Sequence, residues 1–126
     1  MSVKILGTGS FLPESVVTND FLSTIMDTSD EWISSRTGIK ARHLVKKETT
    51  TQMSVEAAKN ALLDAGIQAA ELDLIIVGTI TGDDITPSTA CEVQAAIGAK
   101  AAVAFDVNAA CSGFMFAMHS AYAYLH

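Results

Sequence analysis

Only two of the 126 residues are cysteine, two are proline, three are histidine and 6% are aromatic. Two thiols cannot build the disulfide lattice of a small secreted domain, and Cys91 and Cys111 match no zinc-ligand spacing. His43, His119 and His126 stand far apart in sequence, so no bound metal is expected. Cations are also scarce: eight Lys and Arg against fourteen Asp and Glu give a formal net charge of −6. That balance disfavours nucleic acid or an anionic membrane as a partner. No long apolar run is present. The stretch from Phe114 to Leu125 is broken by His119 and Ser120 and falls short of the roughly 20 residues that a bilayer crossing needs. The start, MSVKILGTGSFLP, lacks the shape of a secretory leader. Reduced thiols in a soluble, cytoplasmic protein are the expectation.

What is present is an ordinary core composition, 49% hydrophobic and 17% charged, which excludes a disordered chain. Its pattern alternates. Val3 to Leu6 reads as a strand closed by Gly7-Thr8-Gly9. Thr18-Asn19-Asp20 caps a short helix carrying Phe21, Leu22, Ile25 and Met26. Thr28 and Glu31 match a capping box for a second helix, which Gly38 stops. Apolar positions recur at helical spacing from Thr51 to Ala65, with Gly66 as terminator. Leu72 to Val77 and Ala101 to Val107 are near-continuous apolar runs that suit strands covered on both faces. Between them, Thr86-Pro87 predicts a helix start and Gly98 its end. Ser112 to Leu125 is apolar nearly all round, as a core helix must be. The order predicts an α/β fold of parallel β/α units. The final helix falls where a further strand should follow, so an incomplete domain is expected.

The segment AFDVNAACSGF, residues 104–114, carries the most chemistry. A buried strand ends near Val107, small residues make the turn, and Cys111 stands where the next helix begins. Unpaired backbone N–H groups and the positive end of the helix dipole favour a thiolate there. The same groups can donate to an oxyanion during acyl transfer. Placement alone leaves a nucleophile and an inert packing residue equally open for Cys111. Cys91, among Ala90, Val93, Ala95 and Ala96, reads as inert packing. Thr28, Trp32 and Arg36 share a helix face at i, i+4 spacing. The indole and guanidinium can sandwich a flat heteroaromatic ring and neutralise phosphate, but an internal cation–π pair, or a buried Trp32 covered by Arg36, is the simpler reading. Gly7-Thr8-Gly9 is no dinucleotide fingerprint, because no third glycine follows. His43 reads as a surface or turn residue. His119, two turns beyond Cys111, reads as a satisfied core histidine.

The segments KILGTGSFLP, DTSDEWISSRTGI, LIIVGTITGD, TPSTACEVQAAIG and AFDVNAACSGF, in this order, resemble the N-terminal half of β-ketoacyl-acyl-carrier-protein synthase III. The likeness covers essentially the whole chain. It implies a thiolase-like fold of two similar α/β halves, with residues 1–126 as an incomplete N-terminal half. It also implies a homodimer when complete, with no cofactor. The reaction implied is transfer of an acyl group from acyl-coenzyme A to an enzyme cysteine, followed by condensation with malonyl-acyl-carrier protein to initiate fatty acid synthesis. The acyl-accepting cysteine maps to Cys111. Trp32 matches the residue that stacks on the adenine of coenzyme A, Arg36 a contact to its nucleotide portion, and Thr28 the same pocket.

Two departures from the family pattern matter. Where short-chain members carry a bulky aromatic that closes the acyl tunnel across the dimer interface, this chain has Thr86, which implies an open tunnel and longer primers. The histidine and asparagine that assist decarboxylation in the family lie in its C-terminal half, and neither the histidines nor the asparagines here fit those motifs. The chain by itself is therefore expected to be inactive in condensation and to need the missing half as a partner. A related synthase of secondary metabolism and a non-catalytic fragment remain alternatives.

Overall fold

A computed structural model describes residues 3–125; His126 lies outside the described residues. These residues form two compact units, Leu12–Glu48 and the remainder, which joins the segment up to Phe11 to the chain from Thr49 onward. Among the described residues, no helix is long and apolar enough to cross a membrane.

In the Leu12–Glu48 unit, strand β1 (Ser15–Thr18) pairs antiparallel with β2 (Ala41–Leu44), from Ser15 opposite Leu44 to Thr18 opposite Ala41. Neither short segment alternates clearly enough to be read as a strand from sequence. β1 runs directly into helix α1 (Asn19–Ser23), whose first turn is capped by Thr18 Oγ1 accepting from the Phe21 N–H. The expected continuation through Ile25 and Met26 is cut short, because both the N–H and the hydroxyl of Thr24 bond to the Phe21 carbonyl. Helix α2 (Asp30–Thr37) is capped by Ser29 rather than Thr28: Ser29 Oγ accepts from the Trp32 N–H at 3.1 Å. Serine is the better cap of the two neighbours. Asp30 and Glu31 then occupy the first turn, where the helix dipole favours negative charge. Gly38, at φ 72°, ends the helix as expected.

Asn19 ties this unit together. It is only 1% exposed, and its amide donates to Asp30 Oδ1 at 2.7 Å and to the Ile39 carbonyl at 2.8 Å. Its oxygen accepts from Arg42 Nη2, while Arg42 Nη1 reaches the Val17 carbonyl at 3.1 Å. The carboxamide thereby joins α1, the start of α2, the turn after α2, and β2. The Asn19 donor, then the Ser34 hydroxyl, hold the Asp30 carboxyl below its ordinary value.

In the other unit, helix α3 (Thr50–Ala65) opens on a capping box made by Thr49 and Gln52 and closes at Gly66, φ 68°. The segment predicted as a strand at Val3 to Leu6 joins no sheet. Its continuation docks along α3 instead: the Thr8 N–H donates to Asp64 Oδ2 and Asn60 Nδ2 donates to the Ser10 carbonyl. Backbone groups engaged by side chains of a helix do not form a ladder at those positions. A Cβ on Gly9 would lie 2.2 Å from the Ala57 carbonyl oxygen, so the glycines serve this close approach.

Strands β3 (Leu74–Gly78) and β4 (Val103–Val107) pair in parallel, Leu74 opposite Val103 and Gly78 opposite Val107. Helix α4 (Thr89–Ile97) connects them and ends at Gly98, φ 81°. Val55, Ala90, Val93, Ala99 and Ala102 are buried, and their modest size lets α3, α4 and β4 approach closely. Helix α5 (Gly113–Tyr124) lies against β3 and β4, with Tyr124 and Phe105 rings 5.9 Å apart. It is not covered all round as expected. Phe114 and Met115 are 71% and 68% exposed, because β3 and β4 reach only one side of it. The α/β class holds, and among the described residues the pairing is one parallel and one antiparallel ribbon.

Candidate active site

Cys111 is placed by the way β4 ends. The Thr79 N–H donates to the Val107 carbonyl at 3.1 Å, carrying the β3–β4 bonding one step past the last paired residues. After Asn108 and Ala109 the chain makes a tight helical turn, Ala110–Ser112, closed by the Ser112 N–H on the Ala109 carbonyl at 3.0 Å. Cys111 is the middle residue of that turn, exposed, immediately before α5. Ala110 has φ 44°, a left-handed conformation that costs an L-residue about 1–2 kcal/mol. Such strain persists only where the surroundings impose it, and it clusters at functional sites. Sequence reading gave no sign of it, since alanine carries no left-handed signal.

The turn is fixed from below by a backbone-to-backbone contact. A Cβ on Gly78 would stand 2.9 Å from the Gly113 carbonyl carbon and 3.2 Å from the Phe114 nitrogen. The end of β3 therefore abuts the first residue of α5, and no larger residue fits at Gly78 without a shift. The first N–H groups of a helix have no intrahelical acceptor, and Cys111 directly precedes that end of α5.

Thr86 is exposed in the loop between β3 and α4, joined to Pro87 by a cis peptide bond. The predicted helix start at Thr86-Pro87 is displaced to Thr89, with Ser88 Oγ capping the Cys91 N–H. Two acceptors from β4 decide this: Asp106 Oδ2 takes the Thr89 N–H at 2.9 Å and Asp106 Oδ1 the Ala90 N–H at 2.7 Å. At the other end of the same loop, Asp83 receives the Thr50 and Thr51 N–H groups at 2.9 and 2.8 Å. The Thr51 backbone N–H is the largest influence that lowers the Asp83 carboxyl from 3.8 to about 2.

Thr28, Trp32 and Arg36 lie in the Leu12–Glu48 unit, and Cys111 and Thr86 in the other. Trp32 is 54% exposed and the Arg36 guanidinium carbon sits 4.5 Å from its ring centroid. That is the internal cation–π pair, formed at the surface rather than over a buried indole. Thr28 is half-buried just ahead of the Ser29 cap. Cys91 packs as expected, half-buried with Sγ 3.7 Å from the Ala104 carbonyl. His43 belongs to β2, its Nδ1 2.5 Å from the Pro13 carbonyl. His119 is exposed on α5, not a core residue, because no element among the described residues covers that side of the helix.

No protein-family profile matches the chain. Among curated proteins it is 54% identical over 120 residues to a β-ketoacyl-[acyl-carrier-protein] synthase III of Clostridium botulinum, matching 95% of this chain and 37% of that protein. Among solved structures it matches a 3-oxoacyl-[acyl-carrier-protein] synthase III from Aquifex aeolicus with TM-score 0.93 and 53% identity, over 97% of this chain and 40% of that one. It also matches the priming β-ketosynthase of a polyketide biosynthetic pathway, with TM-score 0.89 and 39% identity over 94% of this chain and 36% of that one. The chain thus spans a little over a third of the length of the curated relatives it matches. Over that span its sequence and its thiolase-like fold are similar to those of β-ketoacyl-[acyl-carrier-protein] synthase III.

Proposed function

We propose that this chain supplies the acyl-accepting part of a β-ketoacyl-acyl-carrier-protein synthase III, with Cys111 as the nucleophile. The observation that carries the reading is the exposure of Cys111 on a strained turn at the head of α5. The Cys111 thiolate attacks the thioester carbonyl of acyl-coenzyme A, N–H groups at the helix start receive the developing oxyanion, and coenzyme A leaves as its thiolate. Malonyl-acyl-carrier protein then loses carbon dioxide, and the carbanion attacks the Cys111 thioester. β-Ketoacyl-carrier protein forms and the cysteine is freed. Trp32, with Arg36 swung off its ring, stacks on the adenine, Arg36 meets the nucleotide portion, and Thr28 borders the same pocket. The groups that assist decarboxylation come from the family's C-terminal half, so condensation needs that half; the whole enzyme acts as a cytoplasmic homodimer. Thr86 leaves the acyl tunnel open to primers longer than acetyl.

Mass spectrometry of the full-length enzyme containing this segment, after incubation with acyl-coenzyme A, tests the reading. One acyl adduct on Cys111, absent in Cys111→Ala, is expected, with Cys91 unmodified. A protein that takes no acyl group at Cys111 refutes it. The likeness to a polyketide priming ketosynthase favours one second reading, a condensing enzyme of secondary metabolism. A panel of primers from acetyl- to dodecanoyl-coenzyme A separates the two. Refusal of every primer longer than acetyl also removes the role given to Thr86.

A further inference from the structure

We propose that Arg36 is a specificity-determining residue: by stacking on Trp32 it makes the adenine site favour ligands that carry phosphate over the bare base. The inference rests on the reading of Trp32 and Arg36 as coenzyme A contacts given above. One face of the indole is already taken, because the Arg36 guanidinium carbon lies 4.5 Å from the ring centroid. Little else holds that side chain. Within the described residues its hydrogen bond is a long one, 3.4 Å from Nη1 to the Trp32 carbonyl of the same helix. No carboxylate among the described residues pairs with it. Arg42, in the same unit, is the contrast: its two terminal nitrogens donate to the Val17 carbonyl and to the Asn19 oxygen, which fixes it across β1 and α1. Arg36 is thus the arginine of this unit that can turn away. Trp32 is 54% exposed with the guanidinium in place, so a ligand meets the pair from solvent. A bare adenine must break the cation–π contact to stack on that face, and it gives the guanidinium nothing in return. A ligand with phosphate beside its adenine offers Arg36 a charge-assisted, two-pronged partner instead. The self-stacked pair therefore weakens a base without phosphate by about two- to fivefold, the worth of an exposed cation–π contact, and weakens coenzyme A less.

The experiment uses the full-length enzyme with Arg36→Ala, Trp32→Ala and the unaltered sequence. It measures how strongly adenosine and adenosine diphosphate compete with acetyl-coenzyme A for acylation of Cys111. In Arg36→Ala adenosine is expected to compete about two- to fivefold better, because its platform is free. Adenosine diphosphate should compete less well, because the phosphate contact is gone. Opposite signs separate this role from a merely structural one, which would weaken both ligands. Adenosine competing no better in Arg36→Ala overturns the proposal. So does a fall for both ligands, the result expected if adenine uses the other face of the indole while Arg36 stays stacked. Should Arg36→Ala fail to fold, Arg36→Lys keeps a charge for phosphate without the planar stack, and unchanged competition by adenosine there overturns it equally. Trp32→Ala should remove competition by adenosine. Competition unaffected by that change is a separate result: Trp32 is then no adenine platform, which defeats the pocket reading and the proposal with it.

Discussion

Asn19 is 1% exposed, yet it donates to Asp30 and the Ile39 carbonyl and accepts from Arg42. A buried amide with its donors and acceptor engaged is stabilising mainly because its removal strands the partners. Asn19→Ala is therefore expected to lower the stability of the Leu12–Glu48 unit by about 1–3 kcal/mol. The chain has one tryptophan, Trp32, which lies in this unit, so the denaturant midpoint of its fluorescence reports the loss directly. A midpoint identical to that of the unaltered chain would show that the network contributes nothing. Nothing in the sequence announces Asn19 as a hub, because its partners stand 11 to 23 residues away. The placement of Cys111 just before α5, by contrast, was legible: a strand-to-helix turn of small residues is a local pattern. Trp32 and Arg36 were also legible as a pair, since i, i+4 spacing alone brings them together.

Two helices of the larger unit begin on carboxylates borrowed from elsewhere in the chain, α3 on Asp83 and α4 on Asp106. Their stops were read correctly at Gly66 and Gly98, as was that of α2 at Gly38, because a left-handed glycine is a property of one residue. Their starts were read less well. Neighbouring hydroxyls compete for the cap, and a distant carboxylate settles the contest, which no window of sequence contains. The N-terminal segment shows the same limit: Val3 to Leu6 has an apolar pattern that suits a strand, but the residues just beyond it, Thr8 and Ser10, bond to Asp64 and Asn60 on α3. The Asp83 cap also carries a charge test. Its carboxyl is lowered in the folded state from 3.8 to about 2, so its contribution is fully present above pH 3.8 and is lost as pH falls through 2. Asp83→Asn should melt at a lower temperature than the parent at neutral pH, and the two should converge between about pH 4 and 2. Parallel melting curves across that range would mean that the cap is not ionic in the way the geometry requires.

Taken as a whole, the chain makes more apolar surface than it covers. α5 is apolar nearly all round, but among the described residues the strands packed on it are β3 and β4, and Phe114, Met115, Phe116 and Tyr122 stand at least half exposed. A groove of about 760 Å³ runs between β3 and α5, lined by Leu74, Ile76, Phe114, Met118 and Leu125 among others. The sequence pattern was right about what α5 wants and silent about whether these residues provide it, since burial depends on everything packed around a helix. Contiguous apolar surface of this kind drives association or dye binding in water. The chain on its own is thus expected to enhance the fluorescence of anilinonaphthalene sulfonate strongly and to self-associate as concentration rises in sedimentation experiments. Loose packing throughout the chain would also bind the dye, so the location of the effect decides the cause. Replacing Phe114 by Glu and Met115 by Lys puts charge on the exposed face of α5 and should weaken both signals while leaving the helical circular dichroism intact. If the double variant binds dye and associates as before, the surface of α5 is not what the solvent meets.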